Sequence, residues 1–188
     1  MRIVAGVWRG RGLVAPPGTT TRPTSDRVRQ AVFDMLLHAP WGGRGAVEGA
    51  RVLDVFAGTG AMGLEALSRG AADAVFMEAD KAALAALRAN IVGCRAEAQC
   101  RVLAVNAVAP PTGQPCGLVF LDPPYGQGLV GRALMSLAAA GWLAADALVV
   151  AETGRDEALQ LPGAMVAERA HGAALVTFWR LGGGPASP

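Results

Sequence analysis

Three features of this chain predict an α/β fold, a doubly wound and mostly parallel sheet. From Arg51 onward, short apolar runs alternate with stretches of helical period, the pattern of strand–helix–strand units. The first run, residues 51–56, is almost continuously apolar, as a parallel strand covered on both faces must be. It leads into Ala57-Gly58-Thr59-Gly60-Ala61-Met62-Gly63, a glycine-rich turn from strand into helix. A length of 188 residues suits one such domain with a small appendage.

Residues 2–7 and 12–15 read as two short β-like runs around Trp8-Arg9-Gly10-Arg11-Gly12, a small hairpin with a glycine-rich turn. Pro16-Pro17-Gly18 and the threonines after it form a linker. Thr24 or Ser25 can cap a helix that carries Asp26 in its first turn. Val28, Val32, Met35 and Leu36 recur at helical spacing, so that face should be buried. Pro40-Trp41-Gly42-Gly43 ends the helix. After the first strand come a helix over 61–69, a strand over 74–77, an alanine-rich helix over 81–91 and a strand over 101–105. A loop with Pro110, Pro111 and Pro115 leads to a strand over 118–121. A helix over 129–140 and a strand over 147–151 follow, then an antiparallel closing pair over 165–168 and 173–181. The expected organisation is an appendage over 1–45, a sheet domain over 46–182 and a loose tail over 183–188.

Hydrophobic residues make up 52% and charged residues 17%, which describes a chain with a packed core rather than a disordered one. The longest apolar runs, such as 144–151, are too short to span a bilayer. The opening Met1-Arg2-Ile3-Val4-Ala5-Gly6 lacks the apolar stretch of a signal peptide. Cys94, Cys100 and Cys116 show no metal-ligand spacing, and an odd count argues against a disulfide framework. A reducing cytoplasmic compartment is expected. Charge is uneven. Residues 1–51 hold eight arginines against three acids, a net of +5, while the remainder carries −3. The asymmetry points to a polyanion bound by the N-terminal part, and on charge alone a solvated basic face is the alternative.

Gly58, Gly60 and Gly63 match the GxGxxG fingerprint, in which glycines let the backbone turn sharply and approach a ligand over a helix N-terminus. Glu78, at the end of the second strand, is placed to accept hydrogen bonds from ribose hydroxyls. NAD and S-adenosylmethionine both suit this geometry. Asp54 favours the second, because a carboxylate inside an apolar strand is costly without a partner, and the ammonium group of a methionine moiety would be one.

Leu118-Val119-Phe120-Leu121 runs directly into Asp122-Pro123-Pro124-Tyr125-Gly126. Two prolines fix a rigid exit from the strand, at the end of the sheet where α/β proteins bind ligands. An exocyclic amino nitrogen is a poor nucleophile because its lone pair is delocalised into the base. Hydrogen bonds to the Asp122 carboxylate and the Pro123 carbonyl would localise that pair and stabilise the charge that develops on transfer. Tyr125 offers a face on which an extruded base can stack. The pattern implies methyl transfer from S-adenosylmethionine to a base amino group, with no metal and no covalent intermediate.

On these residues the chain resembles the class I methyltransferases with an (Asp/Asn/Ser)-Pro-Pro-(Tyr/Phe) motif. More narrowly it resembles the RsmD family of 16S rRNA guanine-N2 methyltransferases. The specific marks are Met1 to Arg11 and Arg22-Pro23-Thr24-Ser25-Asp26-Arg27-Val28-Arg29. Leu53 to Gly60, Gly63 to Gly70, Phe76-Met77-Glu78 and Leu121 to Tyr125 complete them. The resemblance implies a Rossmann-like, seven-stranded sheet with its last strand antiparallel. It implies a cofactor held by Asp54, Phe56, Gly58, Thr59, Gly60, Glu78, Ala79, Asn106 and Asp122, with Asp122, Pro123 and Tyr125 at the chemistry. Asn106 stands where the family usually carries aspartate, and its side-chain oxygen can still accept. The implied partner is 16S rRNA in a small ribosomal subunit or its assembly intermediate, met by a monomer, with Arg9, Arg11, Arg22, Arg27 and Arg29 on phosphates. The competing readings are an adenine-N6 methyltransferase on DNA or another RNA, and a non-catalytic assembly protein. Cys116 reads as a packing residue despite the Pro115-Cys116 pair, and His38 and His171 as incidental. Trp41, Trp142 and Trp179 read as packing, while Trp8, set among arginines, reads equally as packing or as a contact to RNA.

Overall fold

The apolar run that begins at Arg51 becomes a central strand of a seven-stranded sheet in the computed structural model, which describes residues 1–16, 26–157 and 159–182. Arg22, the candidate caps Thr24 and Ser25, and the tail 183–188 lie outside the described residues. The elements are α1 (Asp26–His38), β1 (Arg51–Val55), α2 (Ala61–Ser68), β2 (Asp73–Glu78), α3 (Lys81–Cys94) and β3 (Cys100–Ala104). They continue with β4 (Cys116–Leu121), α4 (Leu129–Ala139), β5 (Leu143–Gly154), β6 (Ala164–His171) and β7 (Ala174–Arg180).

The strand order is β3-β2-β1-β4-β5-β7-β6. β1 to β5 pair in parallel, β7 runs antiparallel to β5, and β6 antiparallel to β7. The winding reverses between β1 and β4, so a crevice opens at their carboxyl ends, where such sheets hold ligands. Alternate strand residues serve two cores. Val52, Phe76, Phe120, Val150 and Phe178 face a cluster that includes Val32, Phe33 and Leu36 of α1, Leu64 of α2 and Leu87 of α3. Leu53, Val75, Val119 and Val149 face another with Val130, Ala133, Leu134 and Leu137 of α4.

The N-terminal appendage packs into the first of these cores through Ile3 and Leu13. Its expected hairpin is reduced to one bridge, Arg2↔Gly12. The reason lies in where the amides go. Val4 and Ala5 donate to the Glu65 carboxylate at 2.7 and 2.9 Å, Val7 donates to the Ser68 carbonyl, and Trp8 donates to Ser68 Oγ. Amides given to α2 cannot extend a ladder within the hairpin.

The buried face of α1 also differs from the apolar stripe expected. It consists of Arg29, Val32, Phe33 and Leu36, with Val28 and Met35 only partly covered. A buried arginine is tolerated because Glu65, itself fully buried, lies 3.3 Å from its Nε and also pairs with Arg69 Nε at 2.8 Å. Asp26 meets Arg29 Nη2 at 2.8 Å, and the Arg2 carbonyl accepts from the same nitrogen. This corrects the assignment of Arg29 to RNA phosphates. Its guanidinium is enclosed and fully paired inside the protein.

Removing the Glu65 carboxylate would leave two guanidinium groups without their shared anion in a closed site, a change that costs about 3–5 kcal/mol in comparable buried pairs. Urea unfolding of Glu65→Ala should therefore show a loss of that order. A loss below about 1 kcal/mol would mean that water reaches this site and screens it.

Candidate active site

The register of the sheet brings the glycine turn and the Asp-Pro-Pro-Tyr segment together. Val55 pairs with Leu121, and Leu121 with Ala151, so Phe56 and Asp122 leave their strands at the level of Glu152, which is still within β5. The turn after β1 is tight. Phe56, Gly58 and Gly60 all adopt left-handed backbone, at φ 59°, 54° and 76°. For Phe56 this conformation costs on the order of 1–3 kcal/mol and persists only where surroundings hold it.

Several contacts do so. Ala57 donates its amide to the Met77 carbonyl, Gly58 donates to Glu78 Oε2 at 2.8 Å, and Asn90 Nδ2 donates to the Thr59 carbonyl at 2.9 Å. Asp54 Oδ2 accepts from the Gly63 amide at 2.8 Å, inside the first turn of α2, whose N-cap Gly60 has no side chain to offer. The glycines are required by packing as well. A Cβ on Gly60 would lie 2.3 Å from Leu87 Cδ1, and one on Gly63 would lie 2.4 Å from the Phe76 ring.

Three acids lie at this turn, Asp54, Glu78 and Asp122. Asp54 is 4% exposed, and its carboxyl is pushed up to about 8 by burial, with the nearby charges of Asp122 and Glu78 adding to the shift. Glu78 accepts from the amides of Gly58, Ala79 and Asp80, so in this structure it clamps the turn to the end of β2. Asp122 is half-buried and Pro123 buried, while Tyr125 is 47% exposed. The Tyr125 hydroxyl donates to Glu152, and the amides of Gly126 and Gly128 donate to Glu157 at 3.2 and 3.1 Å. Asp122 and Glu152 line one recess with Met62, Phe120, Val150 and Val176 among its apolar walls. Asn106 lies on an exposed turn after β3, where its side-chain oxygen accepts from the Val108 amide at 3.1 Å.

Arg9, Arg11 and Arg27 are exposed, and Arg11 reaches the Gly93 carbonyl near the end of α3. Trp8 is half-buried and packs against the core that holds Ile3. Trp142 is buried with its indole N–H on the Pro111 carbonyl at 2.7 Å, and Trp41 packs on Phe178 with centroids 5.1 Å apart and the rings tilted at 46°. Cys116 is buried at the start of β4, the end away from the crevice, and burial pushes its thiol up to about 11.

A family model described as Conserved hypothetical protein 95 matches residues 1–180. Ribosomal RNA small subunit methyltransferase D of Escherichia coli strain K12 is 42% identical over 155 residues, 81% of this chain and 74% of that protein. The chain belongs to the RsmD family. The Haemophilus influenzae protein of the same name is 37% identical to this RsmD chain, over 86% of it and 83% of the relative. The solved structure of yhhF from Escherichia coli superposes with a TM-score of 0.81 at 37% identity, covering 96% of this chain and 97% of that one. An RNA methyltransferase from Salinibacter ruber, solved with S-adenosyl-L-homocysteine, shares the fold at 16% identity and a TM-score of 0.60. The protein is thus a methyltransferase with a Rossmann-like α/β fold. Among the described residues no helix is long and apolar enough to cross a membrane.

The candidate site is also supported by residues that carry no chemical motif in the sequence. Glu65 and Asn90 brace the turn and the appendage, and Glu152 and Glu157 hold the Asp-Pro-Pro-Tyr loop. Glu65 carries the same signal as Asp54, an acid within an apolar element. Asn90 lies in an alanine-rich helix with no such mark.

The elevated Asp54 carboxyl makes a testable statement about pH. The folded chain binds this proton more tightly than the unfolded chain, so the contribution is full below the ordinary value of 3.8 and declines as pH rises toward about 8. Asn at this position still accepts from Gly63 and carries no proton to lose. Thermal unfolding of the ligand-free protein should show wild type losing ground to Asp54→Asn between about pH 4 and 8. Parallel curves for the two proteins would show that Asp54 is ionised throughout.

Proposed function

We propose that this RsmD-family chain transfers a methyl group from S-adenosylmethionine to the exocyclic N2 of a guanine in 16S rRNA. One observation carries the reading: Asp122 and Tyr125 stand across a single crevice from the glycine turn and Asp54, at the ends of adjacent strands. Relatives named as small-subunit ribosomal RNA methyltransferases at 42% and 37% identity support the RNA substrate.

The residues present fit the cofactor. A buried carboxylate beside two others is costly as an anion and gains from a cation placed next to it. The ammonium and sulfonium groups of S-adenosylmethionine are such cations, and the glycine turn gives its backbone close access. Asp54, Phe56, Gly58, Thr59, Gly60, Glu78, Ala79, Asn106 and Asp122 would hold it, and it would supply a methyl carbon activated by the sulfonium.

The chain does the rest by orientation. The Asp122 carboxylate and the Pro123 carbonyl accept from the amino group of the base, turn its lone pair toward the methyl donor and stabilise the positive charge growing on nitrogen. Tyr125, its hydroxyl fixed by Glu152, presents its ring for the extruded base to stack on. Buried Pro123 anchors the loop. Arg9, Arg11 and Arg27 meet phosphates of the RNA, with Arg22 as a further candidate. The enzyme acts as a cytoplasmic monomer on an assembled or assembling small subunit.

Methyl transfer from labelled cofactor to small subunits from a strain lacking the enzyme should yield N2-methylguanine on digestion and mass spectrometry. N6-methyladenine would refute the assignment of the base. Asp122→Ala should lower transfer by a factor of about 100 or more at saturating cofactor, with calorimetry confirming that the cofactor still binds; a fully active variant would rule out the mechanism. Replacing Arg9 and Arg11 together by alanine should weaken RNA binding and reduce the salt slope of log K by about one to two. An unchanged slope would place the RNA on another face.

A further inference from the structure

We infer that Glu152 reads the ring N1–H of the target base and so selects guanine over adenine, an inference that rests on the function proposed above. Glu152 lies near the end of β5, and the β4–β5 register sets it beside Asp122, with Phe120 opposite Val150 and Leu121 opposite Ala151. Both carboxylates line the recess walled by Met62, Phe120, Val150 and Val176. A carboxylate against apolar walls needs donors. Among the described residues no guanidinium or ammonium group forms an ion pair with Glu152. The Tyr125 hydroxyl supplies one hydrogen bond, whereas a carboxylate accepts in about four directions.

The chemistry of the base edge matches this pair. Guanine presents the 2-amino group and the N1–H side by side, two adjacent donors. Asp122 accepts from the amino group that is methylated, and Glu152, one strand over, accepts from N1–H. Adenine placed with its amino group on Asp122 would turn the N1 lone pair toward Glu152, acceptor against acceptor. The Asp-Pro-Pro-Tyr segment serves either amino group, so the discrimination must come from a neighbour, and Glu152 has the position and charge to provide it. A site built to bind a donor rejects the analogue lacking it strongly, because its own acceptor is left unpaired.

The test uses small subunits reconstituted around 16S RNA with guanine or 2-aminopurine at the position mapped by the labelling experiment. 2-Aminopurine keeps the 2-amino group and lacks the N1 proton. Wild type should prefer guanine in kcat/KM by about 10- to 100-fold. Glu152→Gln, whose amide can donate to an unprotonated N1, should shrink that preference at least about tenfold or invert it. Glu152→Ala should also lose it, with thermal unfolding as the check on folding. Tyr125→Phe removes the hydroxyl contact and should slow both substrates together with the preference kept. That outcome separates base reading from mere support of the tyrosine. A wild type indifferent to the N1 proton, or a Gln variant with the preference intact, overturns the inference while leaving guanine methylation standing. Failure of wild type to methylate guanine at all would remove both.

Discussion

The Glu65 carboxylate is the interaction on which the rest of this structure depends. Its two oxygens gather the amides of Val4 and Ala5 and the guanidinium groups of Arg29 and Arg69. Three separate pieces of chain, the N-terminal segment, α1 and α2, therefore converge on one buried anion. An acid enclosed in this way is tolerable only when fully satisfied, because a partly satisfied buried network is worse than none. The geometry of α2 follows, and α2 is the helix whose first turn carries the glycine bend. Arg69 also lies 4.7 Å above the Phe33 ring, and Phe33 packs on Phe120 of β4. The same polar centre thus steadies the strand that delivers Asp122.

Around the crevice the protein accumulates features that would be unfavourable anywhere else. Phe56 holds a left-handed backbone, Asp54 is buried beside other acids, and Glu152 lies against apolar walls. The first two carry a local cost and are held by neighbours that have other duties in the core. Strain and like charge concentrated at the carboxyl ends of the strands mark the crevice as the candidate functional site.

Much of this was legible in the sequence. The parallel strands announced themselves as apolar runs, and the glycine turn and Asp122 to Tyr125 fell where the winding reverses, because local spacing alone places them after strands. The Met165 and Ala173 regions were likewise read as an antiparallel pair and form β6 and β7. What failed was reading partners across long separations. Arg29 reads as one of the basic residues facing RNA because nothing near it in sequence reveals an acid 36 positions away. The hairpin was overestimated because its amides go to α2, a choice made by tertiary packing. Strand β5 extends past its apolar stretch to Gly154, since pairing with β7 satisfies the backbone of Glu152 and Thr153 whatever their side chains. Glu152 was overlooked for the same reason, its neighbours being supplied by another strand.

Asn90 has a consequence for communication across the molecule. Its side-chain oxygen accepts from the Val14 amide, and its nitrogen donates both to the Val14 carbonyl and to the Thr59 carbonyl in the glycine bend. One amide group therefore ties the segment bearing Arg9 and Arg11 to the turn beside Asp54. The Met1 thioether on the Thr59 hydroxyl and the Val4 and Ala5 amides on Glu65 join the same pieces of chain. Were ligands to bind at both ends of this tie and to be coupled through it, thermodynamic reciprocity would require each to tighten the grip on the other by an equal free energy.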